Sequence, residues 1–308
     1  MHRLLLPVLI LTLAGCSGSS KPEGAQAFTI GMSQCNLGEP WRVQMNADIA
    51  AAAKKHSNIK MVFKDAQNDT LKQRAHIEEL VSAGVDAIIV SPKESQPLTE
   101  PIAKAYQANI PVIVLDRAVQ GDQFTCFIGA DNKKIGKAAG EWLRKKLGPN
   151  ATIVELKGLM TSIPGQDRNQ GFRSGIEGSG INVAFEADMK WLEPDARKEM
   201  ESALARLSKI DAVYAHNDPG AHGAYLAAKA ANREREMLFV GIDALPHEGI
   251  AYVKQDILNA TFQYPTGGAE AIETALKILN GQQVPKTIVL GSRVFTADNL
   301  SQGGEALP

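Results

Sequence analysis

The chain has 308 residues, more than one hydrophobic core usually organises, so two domains are expected. Apolar residues at 44% and charged residues at 22% are ordinary for a water-soluble fold, and 33 Lys plus Arg against 34 Asp plus Glu leave a formal charge of −1. No segment concentrates positive charge, which argues against nucleic acid as a partner.

The chain opens with MHRLLLPVLILTLAGC, a short basic start (His2, Arg3) followed by an apolar run from Leu4 to Leu13 that is too short to span a bilayer. Leu13-Ala14-Gly15-Cys16 resembles the lipobox of bacterial lipoproteins. That resemblance implies a signal at 1–15, acylation of Cys16 as a membrane anchor, and a flexible tether at 16–27 with the small polar tract SGSSKPEGAQA. An ordinary secretory signal with Cys16 incidental is the alternative. Only Cys35 and Cys126 would then remain, and two buried thiols are expected rather than a disulfide framework.

From residue 28 onward, strand-like runs alternate with helical stretches. The strands expected in chain order are 28–34, 59–65, 86–91, 111–116, 124–130, 151–157, 181–187, 211–217, 237–243 and 258–263, most of them continuous apolar runs as in strands covered on both faces. The intervening segments have apolar residues spaced by three and four. In LKQRAHIEELVSAG the spacing predicts a buried stripe of Leu71, Ala75, Leu80 and Val81, with Gly84 ending the helix. Trp142, spaced helically from Ile135, Ala138 and Ala139, reads as a core residue. Alternation of this kind implies parallel sheets, and ten strands divide best into two sheets of about five or six. A break is expected near GADNKKIG (129–136), and the last segment, VPKTIVLGSRVFTADN, is extended enough to cross back between lobes.

Open parallel sheets bind ligands beyond the carboxyl ends of their strands. Those ends carry Gln34, Asp65, Ser91, Asp116 with Arg117, Lys157, Asn217 with Asp218, Asp243 and Gln263. The set is rich in amides, carboxylates and guanidiniums and lacks a nucleophile with a base beside it. Such groups match a neutral polyhydroxyl ligand, because each hydroxyl both donates and accepts. A sugar also offers an apolar face to an aromatic wall, for which Trp41 and Trp191 are candidates; a packing role at a helix start and a loop anchor are their respective alternatives. No phosphate-binding glycine motif is present, and no metal site or cofactor is expected. His216 and His222 near Asp218 could form a metal or acid-base site, but the plainer expectation is one histidine ending a strand and one on a helix face.

The stretches VDAIIVSPKES, IPVIVLDRAV, GADNKKIGKAAGEWL, DRNQGF, VYAHND, VGIDALP and ATFQYP occur together in an order and spacing that resembles the periplasmic sugar-binding proteins of ABC importers, specifically the ribose- and galactofuranose-binding branch, over residues 28–296. The resemblance implies ligand contacts from Ser91, Asp116, Arg117, Arg168, Asn217, Asp243 and Gln263, with Trp191 as a stacking residue. Glu39, Trp41 and Arg42 in SQCNLGEPWRVQMN are more similar to the galactofuranose-binding members than to the ribose-binding ones.

The implied fold is α/β, with two similar Rossmann-like lobes joined by three crossing segments. One lobe takes 28–131 and 265–290, the other 132–264 and 291–308. A monomeric protein would close on a monosaccharide (pentose, hexose or related polyol) and deliver it to an ABC permease at the outer face of the membrane. A sensor feeding a membrane kinase or chemoreceptor would use the same cleft. A transcription regulator is disfavoured by the export-like start, and an enzyme using Asp116 and Asp243 as paired carboxylates is the remaining alternative.

Overall fold

The computed structural model describes residues 27–308; the signal-like segment and Cys16 lie outside the described residues. The first lobe starts as three βα steps followed by two strands: β1 (Phe28–Gln34), α1 (Pro40–Ala53), β2 (Ile59–Asp65), α2 (Thr70–Ser82), β3 (Ala87–Ser91), α3 (Ser95–Gln107), then β4 (Val112–Leu115) and β5 (Cys126–Ala130). The chain then crosses at Asp131 into the second lobe: α4 (Asn132–Lys146), β6 (Thr152–Lys157), α5 (Ile163–Ile176), β7 (Asn182–Asp188), α6 (Glu193–Arg206), β8 (Ala212–Ala215), α7 (Asp218–Ala230), β9 (Leu238–Asp243), α8 (Gly249–Lys254) and β10 (Ala260–Gln263). It crosses back to α9 (Gly268–Leu279), which packs on α1, and β11 (Thr287–Leu290), then a third time to β12 (Arg293–Thr296) and β13 (Glu305–Ala306).

The sheets are ordered β11-β5-β4-β3-β1-β2 and β13-β12-β10-β9-β8-β6-β7, so they hold six and seven strands. Pairing is parallel throughout the first sheet, and the second is parallel up to β10, with β12 and β13 joining antiparallel. Strands β3 and β4 are buried along their whole length, as helices on both faces require. One apolar cluster runs through the hinge from Ile113 and Leu115 to Ile242 and Phe262, and separate clusters fill the outer layers around Ile88 and Ile102 in one lobe and Val154 and Met200 in the other.

Three expectations are corrected. The α2 stripe is Gln73, His76, Ile77 and Leu80, while Leu71 is 75% exposed and Ala75 faces solvent. Asp69 explains the shift, because its carboxylate accepts from the N–H groups of Leu71 and Lys72 and so fixes the helix start with Leu71 on the outside. Strand β4 stops at Leu115, because Asp116 turns into the left-handed region at φ +70°. The strand expected at 124–130 begins at Cys126.

Helices α4 and α5 approach unusually closely. A Cβ added at Gly136 or Gly140 would collide with the carbonyls of Arg168 and Phe172, and one at Gly171 or Gly175 with those of Lys133 and Lys137. Four glycines thus let the two backbones touch, which sets Arg168 against the start of α4.

Candidate ligand-binding cleft

The first lobe contributes a buried ion cluster. The Asp116 Oδ2 atom accepts from Arg42 Nη1 at 2.7 Å and from Ser91 Oγ at 3.0 Å, with Arg117 Nε 3.8 Å away. Burial alone would raise the Asp116 carboxyl, but Arg42 and Arg117 outweigh it and hold the group below the usual carboxylate range. An acid and a base therefore follow β4 side by side because neither could be buried without the other. Asn36 donates to Glu39 Oε1 at 2.7 Å, and Arg42 Nε stands 3.7 Å from the same oxygen. Trp41 donates its Nε1–H to the carbonyl of Tyr264 at 2.8 Å, tying α1 to the hinge.

The second lobe is organised around Arg168. Its Nε donates to Asn132 Oδ1 at 2.9 Å, its Nη1 donates to the His216 carbonyl and stands 3.7 Å from Asp243 Oδ1, and its guanidinium lies over Trp191 and Tyr264 at 5.3 and 4.7 Å from the ring centroids. Trp191 sits at φ +70° with its ring pressed on Gly158, where any Cβ would overlap it. Asn217 caps α7 through Gly220 N–H at 2.9 Å and donates to the Trp191 carbonyl at 3.0 Å. Burial pushes the Asp243 carboxyl well above its ordinary range; Arg168 opposes this, while Asp218, Glu248 and Glu39 reinforce it.

The two sets face one cavity. Glu39, Trp41, Arg42, Asp116 and Arg117 line it from the first lobe, Arg168, Trp191, Asn217 and Asp243 from the second. The lobes also touch directly: Arg117 lies over the Trp191 ring at 5.5 Å, and Ser95 N–H donates to the Thr161 carbonyl at 3.5 Å. Three donors on the cavity walls, Arg42 Nε, Arg117 Nε and Trp191 Nε1, are buried without a hydrogen-bond partner in the protein, an arrangement that costs free energy unless a ligand supplies acceptors.

Two sequence-expected residues stand apart. Ser91 lies beneath the cavity, holding Asp116. Gln263 does not line the cavity but borders two outer grooves at the hinge; its place in the wall belongs to Tyr264, the next residue, because successive side chains leaving a strand point to opposite sides. The Tyr264 hydroxyl donates to the Asp116 carbonyl at 3.0 Å and accepts from Asn132 Nδ2 at 3.4 Å, so it reaches residues of both lobes. Sequence reasoning missed it, although an aromatic after Gln263 in FQYP was a usable signal. Pro164 completes the wall.

Of the remaining strand ends, Gln34 is buried beside the ion cluster and accepts from Arg42 Nη1 at 3.4 Å. Asp65 turns to the N–H of Gln67, and Lys157 pairs with Glu186 at 3.4 Å. His216 is fully buried against Glu155 at 3.0 Å, and His222 pairs with Glu193 at 2.9 Å while stacking on Tyr252, so the two do not converge. Among the described residues no group of three or more His, Cys, Asp or Glu could hold a metal ion. Cys35 and Cys126 are buried free thiols, and Trp142 is partly buried against the core.

Behind Asp243, burial with Asp218 and Glu193 pushes the Glu248 carboxyl up to about 7. A carboxyl whose folded value is raised stabilises the fold below its unfolded value of 4.5, and that contribution is lost as pH rises through about 7. Glu248→Gln is therefore expected to unfold at a higher temperature than the parent protein near pH ~8, the gap closing below pH ~4.5. Thermal scans at the two pH values check this; equal gaps at both would refute it.

Residues 30–283 match a family model described as a periplasmic binding protein domain. The chain belongs to that family. This periplasmic binding protein is 31% identical over 294 residues to the ribose import binding protein of Bacillus subtilis, covering 92% of this chain and 95% of the relative. It is 28% identical over 248 residues to the galactofuranose-binding protein of Escherichia coli, covering 77% and 78%. Among solved structures, the fructose-binding periplasmic domain of a hybrid two-component system is 41% identical, with a TM-score of 0.87 over 90% of this chain and 93% of that one. The homologues of this periplasmic binding protein are substrate-binding proteins, not enzymes, and it falls within their sugar-binding ribose and galactofuranose branch.

Proposed function

We propose that this protein captures a neutral monosaccharide, a pentose, hexose or related polyol, in the cleft between its lobes and delivers it to an ABC permease. The observation that carries the reading is the wall of the cavity: three carboxylates (Glu39, Asp116, Asp243) and three guanidiniums (Arg42, Arg117, Arg168) around a small space, with three buried N–H donors unsatisfied by the protein. Hydroxyls can donate to the acids and accept from the bases at once. Asn217 adds an amide, and Trp41, Trp191 and Tyr264 supply apolar faces.

Since the ligating groups come from both lobes, the sugar completes its hydrogen bonds only in the closed form and shifts the population toward it. The halves that move are 28–131 with 265–290 and 132–264 with 291–308. Residues 1–15 act as a lipoprotein signal, Cys16 carries the lipid, and 16–27 tether a monomer to the outer face of the membrane. A second reading, sensing, has support in the fructose-binding relative, which is itself part of a two-component system.

Titration calorimetry with D-fructose, D-ribose, D-galactose and myo-inositol tests the ligand class. At least one is expected to bind near micromolar affinity, about 8 kcal/mol; no heat from any of the four, or a preference for a sugar acid or sugar phosphate, would sink the reading. Uptake of the labelled sugar by cells with and without the protein separates transport from sensing, because only transport makes uptake depend on it.

A further inference from the structure

Asp218 is fully buried and does not line the cavity. It opens α7, yet its carboxylate bonds outside the helix: Oδ2 accepts from the N–H of Ala244 at 2.7 Å and Oδ1 from the Thr261 hydroxyl at 2.7 Å. The chain makes room for this carboxylate on two sides. A Cβ at Gly241 would overlap Oδ1 and one at Gly249 would overlap Oδ2.

The recipient of these bonds is a strained turn. Asp243 ends β9 at φ +129° and Ala244 follows at φ +54°, a backbone course that side-chain-bearing residues rarely take unless neighbours impose it. Asp243 lines the cavity from this turn at the end of β9. We propose that Asp218 is a positioning residue: by holding the Ala244 amide it fixes the turn and so aims Asp243 at the ligand. This rests on the reading of the cleft as a sugar site.

The same placement couples two acids. Arg168 favours the ionised form of Asp243, while Asp218, Glu248 and Glu39 oppose it, and burial raises the Asp218 carboxyl itself to about 6. An ionised Asp243 accepts hydroxyls, so affinity declines as pH falls and Asp243 takes up a proton. Without the Asp218 charge, Asp243 stays ionised to lower pH.

Asp218→Asn separates the two roles, since an amide can accept from Ala244 and donate to Thr261. It is expected to keep affinity within about threefold at pH ~8 while moving the acid-side loss of binding to lower pH. Asp218→Ala is expected to lose about tenfold or more at every pH and to speed hydrogen exchange at the Ala244 amide, both restored by the Asn variant. If Asp218→Ala does not fold, Gly249→Ala displaces the carboxylate without removing it, and the same loss of Ala244 protection is expected. Calorimetry would use whichever of D-fructose, D-ribose, D-galactose and myo-inositol the parent binds most tightly, with exchange read by NMR. Unchanged Ala244 protection in the folded Ala variant or in Gly249→Ala, or a pH profile in the Asn variant identical to the parent's, overturns the proposal. A parent protein that binds none of the four sugars removes the sugar reading instead, and Ala244 exchange still decides the role of Asp218 in the turn.

Discussion

Asp116→Asn is expected to weaken sugar binding by roughly a hundredfold, the effect of losing charge-assisted hydrogen bonds together worth about 3 kcal/mol. The amide preserves shape and leaves an acceptor for Ser91 or Arg42, but it strips the negative charge that two buried guanidiniums share. Arg42 feels the same loss from its side. Burial works against its charge, and Asp116 with Glu39 keeps it ionised. Asp116→Ala would go further, leaving Arg42 and Arg117 uncompensated in a closed cleft, a change of about 3–5 kcal/mol in stability. The Asn variant is therefore the cleaner probe. Calorimetry alongside a thermal scan reads both quantities, and an affinity within threefold of the parent would remove Asp116 from the binding site.

Trp191→Ala is expected to cost about 2 kcal/mol of binding, near thirtyfold, and to exceed the effect of Trp41→Ala. The difference follows from hydrogen bonding. Trp41 has committed its indole N–H to the Tyr264 carbonyl, whereas the Trp191 N–H is buried without a protein partner. Trp191 also carries Arg117 over its ring from one lobe and Arg168 from the other, so its removal loosens a contact between the lobes as well as the wall. Most of the sugar-induced change in tryptophan fluorescence should vanish in Trp191→Ala and survive in Trp142→Phe. Equal losses in the two variants would contradict this assignment.

Much of the cleft was legible because an apolar strand that ends on paired acid and base is costly anywhere except at a cleft. Asp116 with Arg117, Asn217 and Asp243 could be read in that way, strand by strand. Arg168 could not. It lies inside a helix with no strand end to mark it, and its position depends on glycines of α4 and α5 meeting across a contact that one-dimensional spacing does not record. It entered only through resemblance to a family. Gln263 and Tyr264 differ by a single residue, and alternation at the last position of a four-residue strand is easily read one step out. Leu71 failed for a related reason, since apolar spacing alone competes with a capping aspartate that rotates the helix. Local pattern reports which face an element hides; it does not report which distant element covers that face.

The route of the chain also bears on how the molecule is made. Residues 287–290 border β5 in one sheet, and residues 293–296 border β10 in the other. A nascent polypeptide that has not yet supplied this stretch leaves an open strand edge in each half, the sort of surface that invites pairing with other chains. Neither sheet has its full set of strands until this stretch is supplied, so both halves are completed only near the end of synthesis.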